Sequence, residues 1–364
     1  MKIVHVSELK EGDVLAKPVT DSFGRPILQE NIELTDRLIK QVTKFKLNQV
    51  FIKDSFSEGI ESEQIINDEL RFQSIEQIHS AFHTFTDYEN QSQLVLNQSM
   101  KQVNETISQL TSVIKNNDDM LTIMADIVNY DYYLYNHSLN VAIYTLVLAK
   151  ELNYDEQKMT EIGIGALLHD IGKMKIPVEL VNKPTKLTEL EYEVIKEHTT
   201  YGYDLLSHIP NMTSAIKRSA YEHHERLDGS GYPNGLVDEE IHEYAKVIAV
   251  SDVFDAVTTD RSYRDAYLPQ IGLEILYVGS GTQFKQEYIE LFRKIISIYP
   301  NGTRVHLSDG RVGIVAKQNQ YLSDRPLIRI IEEEGYELPE NKLYEIDLAK
   351  QLNITIVGAQ LSKK

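Results

Sequence analysis

The sequence predicts a mainly α protein, with an all-helical body flanked by a small N-terminal α+β module and a small C-terminal β module. Three observations predict it. Between residues 118 and 300, apolar residues recur at helical spacing in segments near 118–129, 136–152, 156–170, 188–207, 211–225, 239–259, 268–278 and 284–298. From 301 onward the period becomes strand-like: Thr303 to Leu307, the turn Ser308-Asp309-Gly310 and Arg311 to Val315 form a hairpin signature. Before residue 55, short strand-like pieces surround one amphipathic segment.

Residues 1–55 open with strand-like Val4, Val6 and Leu9, then Val14-Leu15-Ala16, and turn at 21–25. Glu33 to Phe45 places Leu34, Leu38, Ile39 and Val42 at helical spacing, with Thr35 as candidate N-cap, and Gln49 to Ile52 closes as a strand. Nothing here carries catalytic chemistry, so the segment reads as a regulatory or docking module. Residues 60–117 lack proline and carry two heptad-like stripes, Phe72, Ile75, Ile78, Phe82, Phe85 and Leu96, Met100, Val103, Ile107, Leu110, Ile114. Two readings stand for this helical pair: packing on its own chain, or a linker that makes a homodimer. His79 and His83 lie four apart there, and without an acid to complete a motif they read as structural. Within the body, Thr188 to Glu191 is a capping box, and Asn211 is the candidate N-cap of the next helix. Residues 301–364 add strands at 326–331 and 353–357 and read as a small barrel-like module for structure or interaction.

A length of 364 residues suits two or three domains. The net charge of −18 disfavours nucleic acid and anionic membranes as partners, but leaves open a small anionic ligand met by local positive charge. The absence of cysteine excludes a disulfide framework, a zinc-thiolate site and a cysteine nucleophile. The N-terminus lacks the apolar core of a signal peptide, and the longest apolar runs, such as 141–149, are too short to span a bilayer. A cytoplasmic protein without membrane insertion is expected.

The chemistry lies in the body. Tyr221 to Pro233 runs Glu222-His223-His224-Glu225 into the turn Asp228-Gly229-Ser230-Gly231-Tyr232-Pro233. His137 heads a helical segment, and His169-Asp170-Ile171-Gly172-Lys173 ends another. His198 precedes by four residues Gly202, where a backbone must pass closely, and Asp252 sits in the apolar run from Val247 to Phe254. Isolated histidines satisfied by helix carbonyls would explain one or two of these positions. Five histidines and two aspartates together suit two hard-to-borderline divalent cations sharing a bridging carboxylate, the kind of centre that activates water for displacement at phosphorus. Glu225 exceeds that ligand count and reads as a group orienting an imidazole.

Over about residues 120–290 this pattern resembles the HD-GYP family of cyclic di-GMP phosphodiesterases, a branch of the HD superfamily of metal-dependent phosphohydrolases. The resemblance rests on His137-Ser138, His169 to Lys173, His198 with Gly202, His223 to Glu225 with Asp228 to Pro233, and Ser251 to Ala256. It implies an HD-type catalytic domain over 118–300, and bacterial second-messenger signalling. The implied reaction is hydrolysis of cyclic di-GMP to pGpG, and on to GMP, by a two-metal centre with a metal-bridging hydroxide. By position, His137, His169, Asp170 and Asp252 would hold one ion. Asp170 would bridge to a second held by His198, His223 and His224. Iron or manganese is the family's metal, although an all-His/Asp site accepts others. Lys173 would assist at the scissile phosphate and Tyr232 would border the substrate. Arg261 and Arg264 are either phosphate or guanine contacts or a solvated helix end. Where some members carry a glutamate for a third metal, this chain has Tyr133, which favours two. The rival functions are a phosphohydrolase for another cyclic dinucleotide and a non-catalytic cyclic di-GMP sensor.

Overall fold

The structure is a computed structural model and describes residues 2–20, 26–44, 49–60, 65–116, 121–122, 133–259 and 267–360. The N-terminal module comprises β1 (Lys2–His5), β2 (Val19–Thr20), β3 (Pro26–Leu28), α1 (Asp36–Lys44) and β4 (Gln49–Ile52). β1 pairs antiparallel with β4, and β2 with β3. Val4, Val6, Leu15, Leu34, Val42 and Val50 form a small core of their own. The turn expected at 21–25 lies outside the described residues.

Two long helices follow, α2 (Asp68–Thr86) and α3 (Gln93–Lys115), capped by Asn67 and Ser92, whose side chains accept from the backbone N–H groups of Leu70 and Val95. Both apolar stripes are spent within the chain. Ile75, Ile78, Phe82 and Phe85 of α2, and Met100, Val103, Ile107, Leu110 and Ile114 of α3, are buried in the core of the helical body. The next segment departs from expectation. The described part of 118–129 is not helical: Leu121–Thr122 forms β5, parallel to Ile296–Ser297 of a later strand. A short apolar run cannot be assigned to helix or strand by period alone. Ile296 and Ser297 are fully buried, and the ladder gives their backbone groups partners.

The body continues through α4 (Tyr133–Glu151), α5 (Glu156–Leu168), a 3-10 turn (Ile171–Lys175), α6 (Val178–Val181), α7 (Glu189–Lys196), α8 (His198–Ser207), α9 (Ser214–Glu222), α10 (Glu243–Thr258), α11 (Pro269–Val278) and α12 (Gln286–Ile295), ending in β6 (Ile296–Ser297). Thr188 makes the expected capping box on α7, but the helix breaks at Glu197, so the segment read as 188–207 is two helices. Asn211 does not cap. It is left-handed, with φ 63°, and Thr213 accepts from the Ile216 N–H instead. His242 caps α10 through its ring nitrogen, which accepts from the Tyr244 N–H at 3.1 Å.

The C-terminal sheet contains β7 (Arg304–Leu307), β8 (Val312–Lys317), β9 (Leu327–Glu333), β10 (Tyr336–Glu337), β11 (Tyr344–Asp347) and β12 (Ile356–Gln360). Their order is β10-β9-β8-β7-β12, with β11 also pairing on β9. The sheet is not a detached appendage, since Val305, Val315, Ile328 and Ile330 belong to the same core as the helices. A further cluster joins Ile60 of the N-terminal segment to Val312, Ile314 and Ile331. Among the described residues no helix is long and apolar enough to cross a membrane.

Candidate metal centre

Helix ends converge on one buried point. His137 opens the second turn of α4. His169 ends α5 and Asp170 opens the 3-10 turn. His198 begins α8 at the break after Glu197, His223 ends α9 with His224 beside it, and Asp252 projects from α10. Asp170 is the hub. Its Oδ1 lies 3.3 Å from His198 Nε2 and 3.9 Å from His223 Nε2, while its Oδ2 lies 3.4 Å from His169 Nε2 and 3.5 Å from His137 Nε2. Asp252 Oδ1 lies 3.1 Å from His137 Nε2, and its Oδ2 is 3.8 Å from His224 Nδ1. Ligand-capable atoms group as Asp170, His198, His223 and His224, and as His137, His169 and Asp170.

The backbone decides which imidazole nitrogen faces inward. His169 Nδ1 donates to the Ala166 carbonyl at 2.7 Å, and His198 Nδ1 to the Ile195 carbonyl at 2.7 Å. His223 Nδ1 meets the Ala220 carbonyl at 3.0 Å. A carbonyl only accepts, so each Nδ1 keeps its hydrogen and each Nε2 turns a lone pair to the centre. His198 Nε2 and His223 Nε2 then face one another at 3.3 Å, lone pair against lone pair. His169 Nε2 and Asp170 Oδ1 are likewise buried without a hydrogen-bond donor among the described residues. Converging acceptors of this kind are costly to bury unless a cation lies among them. The donor set, imidazole and carboxylate without thiolate, fits a borderline-to-hard divalent ion.

Ionisation agrees. Burial, reinforced by nearby Lys173 and His169, holds His198 at about 4 against the pull of Asp170. Burial and neighbouring imidazoles also keep His223 and His224 well below the usual histidine range, so all three are neutral and able to ligate at neutral pH. His137 moves the other way. Burial opposes its charge, but the carboxylates of Asp252 and Asp255 prevail and push it up to about 9. Burial also disfavours ionised Asp170 and Asp252. The Lys173 ammonium together with the His169 and His198 imidazoles outweighs it at Asp170, and the imidazoles together outweigh it at Asp252, leaving both well below the carboxylate range.

The surrounding layer holds residues that sequence reasoning missed or misread. Asp255, one turn after Asp252, accepts from His137 Nδ1 at 2.6 Å and from Asn140 Nδ2 at 2.9 Å. Its signal was available in the stretch Ser251 to Ala256. Glu225 makes no hydrogen bond or ion pair with an imidazole among the described residues. It is buried and accepts from the backbone N–H groups of Asn234 (2.7 Å) and Leu236 (2.9 Å), bracing the turn that follows the two histidines. A carboxylate so close in sequence to a loop with free amides reaches them before it can reach a ring. A Cβ on Gly231 would lie 2.4 Å from Glu225 Cα, so the turn packs directly on the backbone it leaves. Tyr232, held there, places its ring 4.7 Å from that of His224. Gly202 does lie against another backbone, but the tighter partner is Gly172, where a Cβ would lie 1.9 Å from the His198 carbonyl oxygen.

Lys173 follows a turn rather than a continuing helix, yet its Nζ reaches Asp170 Oδ2 at 2.5 Å. It also lines a cavity of about 580 Å³, with Tyr133, Tyr135, Ile176, Lys183, Lys186 and Leu187 among the other walls. Tyr133 stacks on His137, ring centroids 5.8 Å apart. His83 contributes to the same cavity and lies 3.4 Å from the Tyr135 hydroxyl. Arg261 and Arg264 lie outside the described residues.

A helical domain that brings imidazoles and carboxylates to a buried cluster able to hold a metal ion is the class that fold and site define. Residues 122–287 match the HD domain family, and residues 304–363 match the KOW domain associated with the HD domain. The helical body of this chain is thus similar to the HD domain family, and the relatives that follow support its HD-GYP branch. Relatives include a cyclic di-GMP phosphodiesterase of Pseudomonas aeruginosa, 33% identical over 59% of this chain and 52% of the relative. The cyclic di-GMP phosphodiesterase response regulator RpfG of Xanthomonas campestris is 41% identical over 40% of this chain and 38% of the relative. A 3'3'-cGAMP-specific phosphodiesterase of Vibrio cholerae is 32% identical over 46% and 36% respectively. This chain thus spans about half, or less, of the length of these relatives.

Proposed function

We propose that this protein is a metal-dependent phosphodiesterase that hydrolyses cyclic di-GMP to pGpG and then to GMP. The carrying observation is the set of inward lone pairs around Asp170, with the Lys173 ammonium on the same carboxylate at the edge of an open cavity. His137, His169, Asp170 and Asp252 would hold one ion, and Asp170, His198, His223 and His224 a second, with iron or manganese the proposed metal. Divalent ions there would supply Lewis acidity toward phosphoryl oxygens and would lower the pKa of a water toward about 7.

The chain's own residues do the rest. The carbonyls of Ala166, Ile195 and Ala220 keep a hydrogen on Nδ1 of three imidazoles, which fixes ring orientation before any ligand arrives. Lys173 brings a positive charge to the cavity edge, where it would stabilise charge developing on the phosphoryl group. Tyr232, with its ring 4.7 Å from that of His224, would border the substrate from the side of the second ion. The cavity falls within the size of small-molecule sites, and its apolar and tyrosine surfaces suit a nucleoside, so the half of the dinucleotide not undergoing cleavage would lie there.

Anaerobically purified protein, assayed for metal content and for cyclic di-GMP turnover, tests the reading. The His169→Ala, Asp170→Ala double variant should lose both metal and turnover, and wild-type rates in it would refute the assignment. The likeness to a 3'3'-cGAMP-specific enzyme supports a second substrate reading, another cyclic dinucleotide. The same assay across a dinucleotide panel decides between them. Tight binding without hydrolysis by metal-loaded protein would instead indicate a sensor.

A further inference from the structure

We propose that Arg71, on α2, is a positioning residue for the candidate metal centre, acting through Asn140 and Asp255 to fix which nitrogen of His137 keeps its hydrogen. This rests on the reading of the cluster as a metal centre. Arg71 lies well before the segment that matches the HD domain, so the contribution comes from outside that domain's matched residues. Arg71 is buried, 8% exposed, and its Nη2 donates to Asn140 Oδ1 at 2.9 Å. Asn140 Nδ2 donates to Asp255 Oδ1 at 2.9 Å, and Asp255 Oδ2 lies 2.6 Å from His137 Nδ1. Asn140, Asp255 and His137 are all buried.

The order of these bonds gives the chain a direction. A guanidinium has donors and no acceptor, so only the oxygen of Asn140 can face Arg71. An amide alone would flip at little steric cost, because its two ends have nearly the same shape. Arg71 removes that freedom and commits the Asn140 amide hydrogens to Asp255. The carboxylate then accepts from both neighbours, and His137 holds a hydrogen on Nδ1. Nε2 is left as the ligating nitrogen, and it is the one that faces Asp252 and Asp170. In the other three imidazoles that hold a hydrogen on Nδ1, a backbone carbonyl does this work. His137, in the second turn of α4, makes no such carbonyl bond among the described residues, and a side-chain relay takes its place. With Asn140 reversed, two oxygens would meet at 2.9 Å in a buried site, and Asp255 would turn from the ring or the ring would change tautomer. A displacement of α2 that withdrew Arg71 would have the same effect, so the segment before the domain is wired to the metal.

The test uses the full chain, stripped of metal by chelation and titrated with Mn2+ alone by calorimetry, alongside melting of the metal-free protein. Arg71→Lys keeps a donor-only group and should bind within about threefold of wild type. Arg71→Gln introduces an acceptor, permits the amide to reverse, and should weaken one Mn2+ site about 10-fold or more. Asn140→Asp keeps the acceptor for Arg71 but has no hydrogen for Asp255, and should lose at least as much. In an Asp255→Asn background the Arg71→Gln change should cost nothing further, because the relay is already cut. Arg71→Gln binding as well as Arg71→Lys, Asn140→Asp binding as wild type, or additive losses in the Asp255→Asn cycle would each overturn the relay. A wild-type protein that takes up no Mn2+ would overturn the metal-centre reading itself.

Discussion

Adding one methyl group at Gly172 should dismantle half of the centre. Gly172 sits in the 3-10 turn just after His169 and Asp170, and α8 crosses it at its first turn. An ideal Cβ there would lie 1.9 Å from the His198 carbonyl oxygen and 2.5 Å from the Gly202 nitrogen. Both are backbone atoms of a hydrogen-bonded helix, so no side chain can turn away to make room. The turn and α8 must separate by roughly 1 Å, an overpacking cost of about 1–3 kcal/mol. For a domain of this size that lowers Tm by about 3–10 °C. The larger effect is local. His198 Nε2 and Asp170 Oδ1 are 3.3 Å apart across this contact, and separating them removes His198 from the second proposed ion while leaving His137, His169 and Asp252 in place. Gly172→Ala should therefore fall toward one metal per chain by elemental analysis, with turnover down about 100-fold, the scale of a 1 Å misplacement. Gly202→Ala is the control. Its Cβ would meet Ala220 Cβ at 3.4 Å and the Gly172 nitrogen at 3.5 Å, ordinary contacts, and it should stay within about 1 kcal/mol of wild type. Full metal content and wild-type melting in Gly172→Ala, or equal damage from Gly202→Ala, would refute the reasoning.

Three other outcomes are expected. Leu187→Trp should partly fill the 580 Å³ cavity and raise KM for a cyclic dinucleotide about 10-fold, leaving hydrolysis of the small diester bis(p-nitrophenyl) phosphate unchanged. An equal loss on both substrates would show that the cavity is not a nucleoside site. Glu225→Ala strips the acceptor from two loop amides and should cost about 1–3 kcal/mol, with faster amide exchange at Asn234 and Leu236. Metal-free protein should lose stability on acidification. His198 is neutral when folded down to about 4 but charges below about 6.5 when unfolded, so the unfolded chain gains the proton first. The loss runs from pH 6.5 to about 4 and amounts to about 3 kcal/mol for this residue, while His223 and His224 act in the same direction. His137 has the opposite sign, its contribution being present below about 6.5 and lost as pH rises through about 9. Denaturant titrations of chelated protein between pH 4 and 7 read the balance, and a flat profile would contradict it.

The residues of the centre were legible because their chemistry is expensive. A histidine or aspartate in an apolar helical run demands a reason, and seven such positions were visible without any geometry. The elements around them were legible where the 3.6-residue period is long, as in α4 and α10. They were least legible where a backbone bond overrides period, as at Leu121–Thr122, where pairing with Ile296–Ser297 makes a strand of a segment read as helix. Asn211 looked like a cap because its side chain suits one, but two residues on Thr213 has the extended backbone that a cap requires. The supporting residues were hidden for another reason. Asp255, Asn140 and Arg71 gain their roles from one another, and the sequence distance from Arg71 to Asp255 leaves no local pattern to read. Glu225 stood too near the histidines, and proximity in sequence suggested a partner that the fold did not supply.

The strongly negative net charge and the proposed anionic dinucleotide substrate look contradictory, and their scales resolve the conflict. A long polyanion samples the field of the whole surface, where a net charge of −18 opposes it. A dinucleotide entering a cavity responds mainly to charges within about 8 Å, beyond which physiological salt screens exposed groups. At that range the lining presents Lys173, Lys183 and Lys186. Two of these are already engaged, Lys173 with Asp170 and Lys183 with Glu191, both at 2.5 Å. Lys186 has no carboxylate partner among the described residues, so of the three it carries the charge left over for a phosphate. The ions of the proposed centre would change the balance further, because they would compensate Asp170 and release Lys173 from it. Metal loading would then do more than create the reactive centre. It would convert a lysine occupied by a buried carboxylate into one available to substrate, so phosphate recognition in this cavity should strengthen only after the metal sites fill.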